Sequence, residues 1–245
     1  MGYTIGEMRR LPHGAVELHD ARRGTRRTVT LESFAISCSA LVSDGVDRPV
    51  SSVTWLEAIR LCNRLSAAHG LQPTYAINDQ QVHWSVRANG FRLPTEAEWE
   101  YACRAGTTGA HYGDLRKIAW TSLDNVDEPQ PVRQKQPNAF GMYDMLGNVW
   151  EWCWDYLDPG RYGDYMVFRG GSWADPPWSV RASARRGSAP DAVVDGTGLR
   201  LAQGPVGTSG VDEAQGWSAD QDRARASIGG PLPAGWTPLR ALAAR

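Results

Sequence analysis

The sequence is short of the features that would assign it quickly. No window of its 245 residues approaches 18 consecutive apolar positions, so nothing reads as a membrane-spanning helix. The opening "MGYTIGEMRRLPHG" has no apolar stretch behind its Arg pair, so it is not expected to be a secretory signal. Its Gly2 fits a myristoylation pattern poorly, because position six is Gly. The four cysteines, Cys38, Cys62, Cys103 and Cys153, are far apart and form no CxxC, so zinc-ribbon and dithiol-redox readings fail. Buried, reduced thiols and a cytoplasmic location are the expectation. The five histidines show no HxxxH or HxxE spacing, and none is assigned to a metal. "GDLR" and "GGSW" lack phosphate-loop spacing and no GxSxG occurs, against NTPase and serine-hydrolase chemistry. The net charge of −1 gives no general attraction to nucleic acid or to an anionic membrane. No internal repeat is visible.

What is present is ordinary in bulk, with 42% apolar and 22% charged residues, and unusual in its eleven Trp. Tryptophan brings large apolar area with one N–H that needs a partner. Residues 27–36, "RTVTLESFAI", alternate as a strand. Thr54 with Glu57 forms a capping box ahead of Trp55, Ala58, Leu61, Cys62 and Leu65 at helical spacing, which predicts a helix over 54–68 closed by Gly70. Thr95 with Glu98 repeats that grammar and predicts a helix over 95–104 ended by Gly106. From 107 to 203, Gly, Pro, Asp and Asn punctuate short apolar pieces, which predicts short strands and long ordered loops. The class is α+β. Three regions are expected: an N-terminal extension (1–26), a domain (27–203), and a flexible or loosely docked Gly/Pro/Ala-rich tail (204–245) whose Trp217 and Trp236 tuck back onto it.

The ordered set "GFRLPTEAEWEYACRAG", "PNAFGMYDMLGNVWEWCWD", "FRGGSW" and "GLRLA" resembles the formylglycine-generating enzyme and sulfatase-modifying factor family over about residues 50–203. The segment "RGGSWADPPWSVRAS" with "TGLRLA" is closest in motif to the C-terminal domain of the iron enzymes of ergothioneine biosynthesis. The resemblance implies a C-type-lectin-like fold with two helices, a small twisted antiparallel sheet and extensive ordered loops.

Copper-dependent members of that family carry two cysteines soon after the GGS motif, and two thiolates suit a cuprous ion. Here Asp175, Pro176, Pro177 and Trp178 occupy that region and no cysteine does, so copper is not expected. The ergothioneine-type enzymes take iron through histidines of a separate helical domain, so iron is expected here only through a separate helical partner subunit.

In "GMYDMLGNVWEW", Trp150, Trp152 and Trp154 alternate, and one strand face would bury all three rings. Asp144 and Glu151 are acids in an apolar stretch and need partners if buried. The resemblance implies a structural calcium ion held by the Asp144 and Glu151 side chains with the carbonyls of Gly147 and Val149. Carboxylates held by backbone N–H groups or Arg are the equal alternative. A second family calcium loop would fall in 118–135, where Asp124, Asn125 and Asp127 read better as a solvated acidic turn, and it stays unassigned.

The resemblance places a ligand cleft between GGS and GLRLA. Trp173, Asp175, Trp178, Arg181, Arg185 and Asp191 are its candidate residues, with Arg181 or Arg185 gripping a carboxylate of a small-molecule or peptide ligand. Trp173 reads as core and Trp178 as exposed; the bland alternative is an ion-pair network of surface Arg. The expected function is ligand or substrate recognition, as part of a non-haem iron oxidoreductase system. The alternatives are a self-contained oxidoreductase with an unrecognised metal site and a ligand-display protein of the same fold.

Overall fold

Two capping boxes start the two long helices. In the computed structural model, which describes residues 2–20, 24–78, 81–208 and 210–227, helix α1 spans Trp55–Ala68 and helix α2 spans Glu96–Arg104. The Glu57 N–H donates to Thr54 Oγ1 at 3.1 Å and the Thr54 N–H to the Glu57 carboxylate at 2.8 Å. Thr95 and Glu98 repeat this at 3.2 and 3.0 Å. Each box satisfies two donors that the first turn would otherwise leave open. α1 buries Trp55, Ala58, Ile59, Leu61, Cys62 and Leu65. The turn that ends α2 differs from expectation: Ala105 itself adopts the left-handed conformation (φ 45°), ahead of Gly106.

Two four-stranded sheets carry the rest. In one, Met8–Leu11, Phe34–Ser37, Ala202–Gln203 and Phe91–Arg92 lie side by side, all antiparallel. In the other the order is Arg185–Ser188, Met166–Arg169, Trp150–Tyr156 and Thr197–Gly198, the last pair parallel. Two-residue strands and loops make up much of the remainder, the α+β arrangement expected from the punctuation. The strand expected over 27–36 is two strands, Thr25–Leu31 and Phe34–Ser37. The break falls at Glu32–Ser33, where the Gln215 side-chain amide takes both the N–H and the carbonyl of Glu32, at 2.8 and 3.1 Å. Residues 3–20 contribute strands, including Met8–Leu11 within the first sheet.

The strand Trp150–Tyr156 runs through the core, buried on both faces up to Asp155. The Trp150 and Trp152 rings sit edge-on to Phe168, and Trp154 stacks on Tyr75 at 5.1 Å. Trp217 tucks back as expected, at 5.3 Å from Trp84 and 5.4 Å from Trp154. Residues 213–227 form a short hairpin and the helix Ala219–Ala226; Trp236 lies outside the described residues. Three arginines, Arg92, Arg169 and Arg200, are fully buried, each against a glutamate: Glu98 (2.6 Å), Glu100 and Glu151 (2.8 Å). All four cysteines are free and buried. No helix among the described residues is long and apolar enough to cross a membrane.

Candidate functional site

The stretch 141–152 turns sharply before entering the core strand. Asp144 (φ 53°), Gly147 (φ 72°) and Asn148 (φ 61°) adopt left-handed conformations. At Gly147 a Cβ would stand 2.1 Å from the Trp120 carbonyl oxygen, so no larger residue fits without moving backbone. The Asn148 side chain pins the loop by bonding both the N–H and the carbonyl of Gln130, at 2.8 and 3.0 Å.

The two acids of this stretch are treated differently. Glu151 accepts from Arg200 at both oxygens (2.8 and 2.9 Å) and from the Trp99 indole at 2.7 Å. Its carboxylate is thus held by Arg, as the alternative reading had it. Asp144 is 3% exposed and accepts the Arg133 N–H at 2.7 Å through Oδ2, while Oδ1 has no partner. Burial pushes its pKa up to about 6, with the Arg133 N–H and the Arg200 charge pulling the other way. The unpartnered Oδ1 is a hard oxygen donor of the kind calcium takes, in the set with Glu151 and the Gly147 and Val149 carbonyls that the resemblance implies. Glu151 joins such a set only by giving up part of its hold on Arg200. Among the described residues no group of three or more His, Cys, Asp or Glu is gathered for a metal. In the 118–135 loop, Lys135 Nζ sits 2.8 Å from Asp124 and 4.1 Å from the Trp120 ring centre. Burial opposes ionisation of Asp124, but the Lys135 ammonium and the Thr121 N–H outweigh it and hold the carboxyl below its usual value. An internal lysine neutralises this acidic turn.

The candidate ligand residues divide into three groups. Trp178, Arg181 and Arg185 line one cleft of about 480 Å³, together with Tyr162, Tyr165 and Phe168. Trp178 is 71% exposed, as expected, and its ring forms a free wall. Arg181 is exposed and makes no hydrogen bond or ion pair among the described residues. Arg185 is committed to Glu96: its Nη2 donates at 2.7 Å and its Nε makes a second bond, so this guanidinium braces α2. Asp175 lies beneath the cleft, 7% exposed. It accepts from the Trp150 indole (2.7 Å), the Ser172 N–H (2.9 Å) and the Ser172 hydroxyl (2.7 Å), and pairs with Arg186 at 3.1 Å. Arg186 in turn covers the Trp150 ring at 4.9 Å and lines the cleft. Trp173 is half-buried and Asp191 exposed, and neither lines the cleft. Sequence reasoning missed Tyr162 and Tyr165, whose rings stack 6.2 Å apart at 15°. The paired tyrosines of "DPGRYGDY", flanked by turn residues, were the available signal.

Residues 37–205 match the family model of the sulfatase-modifying factor enzyme 1-like domain. The formylglycine-generating enzyme of Streptomyces coelicolor is 35% identical over 158 residues, 51% of this chain and 50% of that protein. The inactive Cα-formylglycine-generating enzyme 2 of Bos taurus is also 35% identical, over 147 residues, 52% of this chain and 48% of its own. The chain therefore spans about half the length of these curated relatives. Among solved structures, the Treponema denticola variable protein 1 superposes with a TM-score of 0.73 at 28% identity, covering 84% of this chain and 99% of that one. The two-helix, small-sheet architecture is accordingly the C-type-lectin-like fold of this group.

Proposed function

The chain belongs to the sulfatase-modifying factor enzyme 1-like family, and on that premise we propose that it is a recognition member, binding a ligand without copper-dependent thiol oxidation. One observation carries the reading: no sulfur donor lies between residues 171 and 203, and Asp175, in the segment after GGS, is a carboxylate locked by Trp150, Ser172 and Arg186. The four cysteines elsewhere support it. Burial raises all four thiol pKa values, those of Cys62, Cys103 and Cys153 most, which keeps them protonated and poor ligands for a soft metal. Four unpaired thiols also favour a reducing compartment, the cytoplasm. An active and an inactive relative match equally well, so identity alone does not argue for catalysis.

The ligand-binding surface is the cleft of Trp178, Arg181, Tyr162 and Tyr165. Aromatic walls with one uncommitted guanidinium suit a small molecule or peptide that carries a carboxylate beside an apolar or planar body. Structural calcium belongs at Asp144 with the Gly147 and Val149 carbonyls. Any oxygen chemistry draws its iron from a separate helical subunit, and co-purification of an iron-bearing partner is the direct check. The test of the main reading is incubation with cuprous ion and a cysteine-containing sulfatase peptide. No stoichiometric copper and no aldehyde product are expected; uptake with conversion overturns the reading. The ligand-display alternative is favoured by the superposition on the variable protein, and variation among sister chains concentrated at 178–186 is its mark.

A further inference from the structure

A second cleft, of about 240 Å³, shares only His19 and Arg185 with the one above among the described residues. Its floor is Glu96, Glu100, Asp155 and Tyr156. Its walls come from segments outside the residues matched by the family: the hairpin Gly14–Asp20 with Thr25–Leu31, and the C-terminal residues 216–225. This cleft is therefore walled in part by segments that flank the matched domain.

The C-terminal wall is fixed in place. Gln215, at φ 51°, accepts the Thr95 hydroxyl at its carbonyl (2.8 Å), and its side chain donates to Glu98 at 3.0 Å. A Cβ on Gly216 would meet Val29 at 2.5 Å, so the turn lies flat on the strand beneath. Trp217 anchors in the aromatic core, and its indole holds Asp222 at 2.8 Å. The cleft is preformed, which lowers the ordering cost of binding.

Its fixed charges pair off with two exceptions. Arg185 is taken by Glu96, Glu100 by Arg104 and Arg169, Arg26 by Glu17, and Arg225 by Asp222. Asp155 and Arg27 remain without an ion pair among the described residues, although the Arg27 charge acts from a distance on Asp155, Glu96 and Asp222. Asp155 is 6% exposed; its Oδ2 accepts the Glu96 N–H at 2.7 Å, and its Oδ1 accepts nothing among the described residues. Arg27 gives one N–H to the Gly216 carbonyl at 2.8 Å and keeps its other donors open among the described residues. A lone cation or a lone anion would leave one of the two unmatched, whereas a dipolar ion satisfies both.

We propose that this cleft binds a small zwitterion of the amino-acid class, with its ammonium on Asp155, its carboxylate on Arg27 and its side chain against Tyr156 and Trp217. The volume bounds the ligand at a single amino acid. Burial pushes the Asp155 pKa up to about 7; the Glu96 carboxylate on α2 and Asp222 on the C-terminal helix add to this, and the Glu96 N–H and Arg27 oppose it. Binding an ammonium favours the ionised carboxyl, so affinity rises as pH climbs through that range.

The test is calorimetry of the full chain against the free L-amino acids, followed for each binder by its decarboxylated amine and its deaminated acid. At least one amino acid binds, and the amine and acid bind about tenfold or more weakly. Asp155→Asn and Arg27→Met each lower affinity by about tenfold. Gln221→Trp, which fills the cleft from an exposed helical position, abolishes binding without lowering Tm. Arg181→Ala, in the other cleft, changes nothing here, so the outcome is independent of the proposed function. Three results would overturn the idea: no heat from any amino acid at about 10 mM, a binder that Gln221→Trp retains, or a bare amine that binds as tightly as its amino acid.

Discussion

Arg200→Met removes the guanidinium that Glu151 depends on. Both residues are inaccessible, at 0% and 1% side-chain exposure, and the pair is bidentate. With Met at 200, Glu151 keeps only the Trp99 indole as a donor. Stranding one member of a buried pair costs about 3–5 kcal/mol. Arg200 also serves the carbonyls of Ser37 and Tyr143, at 2.7 and 2.8 Å, and each loses that bond at about 1 kcal/mol. The sum, about 5–7 kcal/mol, approaches the whole stability of many domains. At about 2–4 °C per kcal/mol for a chain of this size, Tm drops by roughly 10–28 °C. Urea unfolding followed by Trp fluorescence measures the loss. The double variant Arg200→Met/Glu151→Leu removes the stranded charge and should be more stable than Arg200→Met alone, a large coupling in a double-mutant cycle. A single variant within about 1 kcal/mol of the parent, or strict additivity, would refute the claim that this pair is locked and dry.

Asp144→Asn should flatten a pH dependence. The folded-state pKa is raised from 3.8 to about 6, so the native state holds this proton more tightly than the unfolded chain does. Its contribution is complete below the unfolded value and is lost as pH rises through about 6, a loss of about 3 kcal/mol by pH 7. Calcium at Oδ1 would restore it. Melting with and without chelator at pH 4.5 and pH 7 should therefore show a metal-dependent gain at pH 7 in the parent and none in Asp144→Asn; equal curves for the two proteins would remove both the titration and the ion. Thr95→Val deletes a hydroxyl that caps α2 and also donates to Gln215, at a cost of about 2 kcal/mol. Amide exchange in residues 213–218 should accelerate with it, and unchanged protection there would show that the C-terminal hairpin does not hang on this cap. In the 480 Å³ cleft, once a ligand is known, Arg181→Ala should weaken binding by about tenfold or more with Tm unmoved; unchanged affinity would take the carboxylate contact away from Arg181.

The local grammar of the fold was readable and its long-range pairing was not. Both capping boxes follow from residues three apart, so Thr54–Glu57 and Thr95–Glu98 announced their helices without tertiary information. Gly and Pro punctuation announced loops for the same reason. Arg185 shows where this stops. Adjacent to Arg186 and Arg181, it looked like a ligand-gripping guanidinium, yet its partner Glu96 is 89 residues away and the pair braces α2. Tyr162 and Tyr165 lie just ahead of the strand Met166–Arg169; their spacing among turn residues was visible in the sequence, but not that they line a cleft with Trp178 and Arg181. Trp178 was legible because two prolines precede it and keep it out of a regular strand.

The motifs that signal the family turn out to be largely about the scaffold. Arg92 in "FRLPTE", Arg169 in "FRGGSW" and Arg200 in "GLRLA" are, among the described residues, the three fully buried arginines; they fasten Glu98 and Glu100, in the same segment as Arg92, and Glu151 of a fourth signature segment. A buried ion pair contributes less to net stability than well-packed hydrophobic residues, but it penalises every arrangement that separates its members. Three such pairs tie α2, the strand Trp150–Tyr156 and the closing segment to one geometry. Those residues fix where the 173–186 segment stands and leave what it does to the handful that face outward. A chain can therefore keep the full signature while the segment after GGS carries Asp175 and no cysteine, and while Trp178 and Arg181 stand exposed outside those ties.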